Sequence, residues 1–350
     1  MKTKLISTKQ AMASGLALAL GCTLAASSQA AVIIPTKSGF SGYVNLGAGA
    51  VGVKSNMMSS IVNGNVNVGD KQIDNLSDSA DNSEGGVVPA VNFELSYTFA
   101  STRTQIHVGN LLENYLSMES NTLAGVRQDV GKAGNIGASV QTTSLDTTVW
   151  EDPYLTDAKR KDTDRTNKGF SVYWQQFMGS GLEFKYSAAE IDIDNERSGQ
   201  SLALSPSQRK MLDRNGDVDR FALSYEFASS DDRHRVTPTL TYVDRDLDGG
   251  AMANDGGSAS VNYIYTHNDR WRYVFNASYG DYDFNDSNPI YAKRDSMNEY
   301  GVSATVFYSE PFGWKKWAFN TTAGWYEADH DIDFYDAEVG IVVFGMFRKF

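Results

Sequence analysis

From residue 91 the chain places Val91, Phe93, Leu95, Tyr97 and Phe99 on one parity and Asn92, Glu94, Ser96 and Thr98 on the other. Side chains of an extended segment point alternately to opposite faces, so this row predicts a strand with one oily and one wet face. The pattern recurs through Phe221, Leu223, Tyr225 and Phe227, through Trp271, Tyr273, Phe275, Ala277 and Tyr279, and through Tyr300, Val302, Ala304, Val306 and Tyr308. Weaker rows fill most of the remaining sequence and give about 14 strands, in a range of roughly 12 to 16, each near the length with which a tilted strand crosses a bilayer. Residues 93–101 (FELSYTFAS) and 221–229 (FALSYEFAS) agree at seven of nine positions, as expected of one hairpin solution used twice.

The segments between rows alternate in length. Residues 100–103, 131–134, 178–181, 229–234, 267–270 and 310–316 are short, whereas 55–87, 146–168, 192–217 and 282–298 are long. Aromatic residues mark both ends of the apolar parity: Phe99, Phe227, Trp271, Tyr308 and Trp317 beside the short turns, Tyr242, Tyr279, Tyr300 and Trp325 near the long loops. Sandwiches and propellers also alternate, but unequal connections and two aromatic girdles belong to membrane barrels. The expected fold is all-β: a transmembrane antiparallel up-and-down β-barrel with short periplasmic turns and long extracellular loops. It must close, because no water in the hydrocarbon core can satisfy an open strand edge.

Composition and charge refine the setting. Lys2, Lys4 and Lys9 precede an Ala- and Leu-rich stretch, and Ser28-Gln29-Ala30 offers the small residues of a signal-peptidase site. We therefore expect residues 1–30 to be a cleaved signal peptide and residues 31–350 a single barrel domain in the outer membrane of a Gram-negative bacterium. Without those three lysines the basic residues fall from 31 to 28 against 43 acidic ones, a net charge of −15, which argues against a nucleic-acid partner. The single cysteine, Cys22, falls in the leader; Gly21 precedes it as in a lipoprotein site, but Ala19 stands where Leu is usual. The terminal row Val342, Phe344, Met346 and Phe350 resembles the signal read by the outer-membrane assembly machinery, with Arg348 departing from it.

Few motifs carry chemistry. Gly47-x-Gly49-x-x-Gly52 matches a dinucleotide fingerprint by letters, but a strand pattern runs through it and no helix follows. Asp244, Asp246, Asp248 and Asp255 have the spacing of a calcium loop between strands rather than helices. Acidic residues continue the lipid-facing parity beyond four strands: Asp192 and Asp194; Asp244, Asp246 and Asp248; Asp281 and Asp283; Asp329, Asp331 and Asp333. No cofactor is expected: a belt at that height is a hydrated rim that keeps the external face soluble, the alternative being that Ca2+ or Mg2+ bridges it to lipopolysaccharide phosphates. His107, His234, His267 and His330 form no recognisable hydrolase motif, so no enzyme is expected.

The most distinctive string is Trp150-Glu151-Asp152-Pro153-Tyr154-Leu155, followed by Arg160 and Thr163-Asp164. With Gly39-Phe40-Ser41-Gly42 and Gly169-Phe170 it resembles the uncharacterised bacterial domain-of-unknown-function family 2860, whose members look like exported outer-membrane proteins. The resemblance spans nearly the whole mature chain and implies no activity or site residues. An aromatic-Pro-aromatic group is costly in water, so Trp150, Pro153 and Tyr154 are expected in a loop folded inward as a plug and packed on the lumen wall, the alternative being a receptor-facing epitope.

Inward parity assigns Glu94, Gln105, His107, Arg127, Glu183, Lys185, Arg220, Glu226, Arg272 and Asn276 to a wet lining of both signs. A barrel of this size keeps a lumen, so the leading expectation is a passive, porin-like pore for small hydrophilic solutes, with mild cation preference at an acidic mouth. The rival is a closed structural or adhesive barrel displaying its loops, with Ile191, Ile193, Tyr282, Phe284, Ile332 and Phe334 sealing the mouth; an outer-membrane hydrolase using His107 or His330 is the third class.

Overall fold

A computed structural model describes residues 33–350 apart from 63, 81–82, 115–118 and 146; the expected leader, with Cys22 and the cleavage site, lies outside the described residues. Fourteen strands form the wall: β1 (Gly39–Ser55), β2 (Glu84–Phe99), β3 (Thr104–Asn114), β4 (Glu119–Asp129), β5 (Asn135–Leu145), β6 (Asp162–Gln175), β7 (Leu182–Ile193), β8 (Gly216–Tyr225), β9 (His234–Leu247), β10 (Asn254–Thr266), β11 (Trp271–Asn288), β12 (Lys293–Ser309), β13 (Trp317–His330) and β14 (Ala337–Lys349). Each pairs antiparallel with its sequence neighbour, and β1 pairs with β14 from Tyr43↔Lys349 to Ser55↔Ala337, which closes the barrel. Phe40, Leu46, Val140, Phe170, Phe221, Leu240, Phe275, Val302 and Phe344 are exposed on the outer face. An apolar surface encircling a sheet is a lipid-facing band. The two copies of the repeated nonapeptide lie at the periplasmic ends of β2 and β8, both descending strands. Arg348, the departure in the terminal row, stacks its guanidinium 5.2 Å from the centre of the Trp317 ring, an interfacial cation–π contact.

One expected loop is not a loop. Instead of a long connection at 282–298, β11 runs to Asn288 and β12 starts at Lys293. The polar alternation there is that of a strand leaving the membrane: Asp281 and Asp283 stay outward, while Tyr282 and Phe284 turn inward and are buried.

The wall is uneven. Pairing of β2 with β3 stops at Glu94↔Gly109, and pairing of β5 with β6 stops at Thr142↔Lys168. Above these points two loop segments enter the mouth: Met58–Ile61, paired with Val66–Asn67, and Thr147–Trp150, which pairs with both Met58–Ile61 and the top of β6. Side chains finish each seam. Asn110 accepts the Phe93 N–H (2.8 Å) and donates to the Val91 carbonyl (2.8 Å); Thr143 accepts the Asn167 N–H (2.6 Å) and donates to the Asn167 carbonyl (3.2 Å). Pro89 sits on β2 just past the first seam, where the strand has become an edge toward β3 and its missing N–H costs little. The inserted segments are buried throughout, and Met58, Ile61, Val62 and Val68 cover the apolar inner faces of β1, β2 and β14 at Val51, Val53, Val88, Ala90, Val339, Ile341 and Val343.

Candidate functional site

The lumen is built in two storeys. In the periplasmic storey Arg127 on β4 holds Glu94 on β2 in a bidentate pair, both N–O distances 2.8 Å, and also donates to Tyr173 (3.0 Å) and Gln105 (3.2 Å). His107 is buried beside this cluster. Gln175 donates to Glu183 (3.2 Å), Arg235 pairs with Glu226 (3.2 Å), and Asn262 bridges to Asn276 (2.5 Å). The packing is lopsided. Asn45, Asn92, Ser96, Thr98, Thr305, Asn320 and Thr322 are buried against one another on one side, whereas Arg272 and Ser278, on the inward parity of β11, remain exposed and Lys185 and Arg220 partly so. The inward face of β11 is therefore the least filled part of this storey.

The external storey is apolar. Ile191, Val218, Val243, Tyr282, Phe284, Met297 and Ala328 line the inside of the wall, and Tyr154, Leu212, Ala251, Ile332, Phe334 and Tyr335 form a second cluster made largely of loops. Tyr154 belongs to this second cluster, and Trp150, Pro153 and Tyr154 are all buried, with Trp150 1% and Tyr154 0% exposed. The Tyr154 and Tyr335 hydroxyls are 2.7 Å apart and Asn288 donates to Tyr335 (2.7 Å), tying two external connections to the end of β11. Asp152 accepts the N–H groups of Tyr154 (3.1 Å), Gly199 (3.0 Å) and Ser201 (2.7 Å), which fastens residues 194–215 to the same core. Arg160 lies 4.4 Å from the centre of the Trp150 ring and donates to the Asn56, Pro153 and Asp70 carbonyls; burial pulls its pKa down to about 10, with Asp70 opposing the shift. Burial likewise raises the Tyr154 and Tyr335 hydroxyls above their usual range, so both stay neutral donors.

Beneath the plug lies a cavity of about 250 Å³ bordered by wall and loop residues, among them Met58, Val149, Ile193, Phe284, Met297 and Tyr335. Its ionisable neighbours are Arg165, Arg214, Arg220, Arg245, Glu299 and His330. Arg214 is held by Glu196 at 2.7 Å and by the Trp150 carbonyl at 2.7 Å, and His330 Nδ1 lies 2.7 Å from the buried Asp295 carboxylate. Of these arginines the alternation singles out only Arg220. The inward parity of Val243 was the signal available for Arg245; Arg214 sits in a connection without periodicity.

The calcium-loop spacing does not form a loop. β9 continues to Leu247, so Asp244 and Asp246 point outward from a straight strand, and Asp248 lies beyond its end. Asp255 faces Asp244 across the ladder instead of closing a ring, and among the described residues no group of three His, Cys, Asp or Glu is placed to hold a metal ion. Of the expected belt, Asp244, Asp246 and Asp283 stand in an acidic register with residues the alternation did not single out, Asp217 facing Asp246 and Asp219, Asp244, Asp255 and Asp283 following one another across β8 to β11. Asp194, Asp248, Asp331 and Asp333 instead lie beyond the strand ends. The acidic register stands directly above the external girdle, where Tyr186 donates to Asp219 (2.5 Å) and Tyr242 to Asp255 (3.1 Å).

A sequence profile described as "Protein of unknown function (DUF2860)" matches residues 39–348. No curated protein matches the chain. Among solved structures the chain is similar to the outer membrane channel DcaP of Acinetobacter baumannii, at 10% identity over 90% of this chain and 97% of that one with a TM-score of 0.45. It is also similar to a Pseudomonas aeruginosa FadL homologue, at 10% identity over 89% and 90% with a TM-score of 0.44. An anion-selective porin from Comamonas acidovorans shows 7% identity over 90% and 100%, with a TM-score of 0.39.

Proposed function

The chain belongs to the DUF2860 family, and from that premise we propose that it is an outer-membrane channel for small solutes, closed at its external mouth by its own loops. The observation that carries this reading is the contrast between the two storeys: inward-facing Arg272 and Ser278 are exposed within the wall, while the mouth is filled by loop residues such as Tyr154 and Phe334. A plug made of connections can shift without breaking the ladder that spans the membrane, because its strand pairing with the wall, Thr147–Trp150 on the top of β6, begins only where the β5–β6 ladder has ended, and ties such as Tyr154 to Tyr335 are side-chain contacts. Opening such a plug joins the wet lumen to the exterior.

A non-conducting barrel that displays its loops is favoured by one observation, the apolar seal itself, and the same experiment separates the two. Purified, refolded protein in planar bilayers is expected to show infrequent discrete steps, with open time increased in Trp150→Ala. Silence from wild type and variant alike, in samples shown to be folded by heat-modifiable gel migration, contradicts the channel and leaves the display barrel.

A further inference from the structure

We propose that the cavity under the plug is a binding site for a small amphipathic carboxylate, with the acid group on the arginines and the apolar body against the Ile, Met and Phe walls. The proposal rests on the channel reading for its purpose and on the cavity alone for its chemistry. Three of the bordering arginines come from one stretch of the wall, Arg165 on β6 and, beyond β7, Arg220 on β8 and Arg245 on β9. Register places Arg245 opposite Val218 and Arg220 opposite Val243, so the two guanidinium groups enter from adjacent strands at successive inward levels. The facing wall, β11 to β13, contributes Phe284, Met297 and Ala328. The same wall carries Glu299 on β12 and His330 on β13, so the cavity joins an arginine-rich side to a largely apolar side that holds one carboxylate and one imidazole.

The charge runs against the rest of the molecule. The chain carries 43 acidic residues to 31 basic ones, yet four arginines border this cavity against the single carboxylate of Glu299. The outward face of the same strands is acidic at the same height, with Asp217, Asp219, Asp244 and Asp246. Arg214 is committed to Glu196 and the Trp150 carbonyl, and Arg165 and Arg220 also have partners within the protein. Each guanidinium has five donors in a planar fork, so an internal partner leaves donors for a carboxylate, which arginine engages in bidentate fashion. A cation is repelled here. A neutral sugar meets a wall of thioether and aliphatic groups with few acceptors. An inorganic anion leaves the apolar wall without a partner. An organic acid uses both sides, and a cavity of about 250 Å³ suits one of the size of a benzoate.

Isothermal titration of the full-length mature protein in nanodiscs with benzoate, benzyl alcohol, benzylamine and acetate tests the assignment. Benzoate is expected to bind saturably, at least tenfold tighter than the other three, and Arg220→Gln with Arg245→Gln is expected to weaken benzoate at least tenfold while leaving heat-modifiable migration intact. Equal binding of benzyl alcohol, binding of benzylamine, or no saturable benzoate signal from the wild type overturns the assignment whether or not the variant folds. Loss of benzoate binding with bilayer conductance present removes the site and leaves the channel; binding with no conductance removes the channel and leaves the site.

Discussion

Between β9 and β13 every strand is laddered to both neighbours through the membrane and past the girdle, whereas between β2 and β6 the ladder stops part-way and loop segments take over. In the continuous sector the strands invert their polarity as they leave the bilayer. β11 shows lipid Phe275 and Tyr279 on one parity and then Asp281 and Asp283, while the other parity passes from Asn276 and Ser278 to Tyr282 and Phe284. Outside turns from oily to wet as inside turns from wet to oily. In the split sector β3 parts from β2 and β5 from β6 while β3, β4 and β5 stay paired with one another, and Met58–Ile61 and Thr147–Trp150 supply the apolar filling in the gap. Segments held by few backbone hydrogen bonds open at lower free energy than a full ladder, so opening is expected first in the split sector.

That difference is open to attack. Trp150→Ala removes a fully buried indole and its contact with Arg160, a change that costs about 3–5 kcal/mol in a packed site. Hydrogen exchange should quicken at 58–61 and 147–150 and stay unchanged from β9 to β13; uniform quickening would mean the two sectors are one cooperative unit. Asn110→Ala leaves the Phe93 N–H and Val91 carbonyl without that partner, worth roughly 1–3 kcal/mol if no water replaces it. Asn262→Ala, on the least filled side of the lumen, should cost no more than about 1 kcal/mol, near the net worth of one hydrogen bond. Equal thermal shifts for these two variants would deny the seam its special role.

Two smaller effects follow from charge. Asp244→Asn takes a carboxylate from between Asp219 and Asp255, and relieving like charges opposite one another should stabilise the continuous sector by about 0.2–1 kcal/mol in low salt. If Ca2+ or Mg2+ bridges the belt to lipopolysaccharide, the same variant melts lower than wild type when both are present, which calorimetry in the two media separates. At the periplasmic end of the split sector the Gly131 N–H and then Arg103 hold Asp129 below the usual carboxylate range. A depressed folded pKa gives stability that is present above the unfolded pKa and lost as pH falls through the folded one. Acid below about pH 4 should therefore loosen the 130–134 turn, and Asp129→Asn should abolish that dependence in exchange rates of its amides.

The barrel was legible because its cause is periodic: lipid and water impose a two-residue repeat on every strand, and Phe221 to Phe227 or Tyr300 to Tyr308 display it without interruption. The inward charges Glu94 and Arg127 share the wet parity, but their pairing depends on β2, β3 and β4 lying side by side, which alternation does not encode. The tract after Tyr279 was misread because inverted polarity above the membrane resembles a polar loop, although the two-residue period continues through Phe284. The seams were invisible. Asn110 and Thr143 are ordinary residues in ordinary rows, and only the arrival of the distant segments 58–61 and 147–150 makes the ladder part there.

Those two segments offer the most direct test of a mouth closed by inserted strands. Ser60 and Thr148 are paired across them and both are buried, and removal of the expected leader takes away the only cysteine, Cys22. In the Ser60→Cys, Thr148→Cys variant the account predicts a disulfide in membranes isolated without reductant, bilayer openings absent while it is oxidised, and openings restored by dithiothreitol. A folded variant that does not cross-link, or that conducts equally when cross-linked, would contradict it.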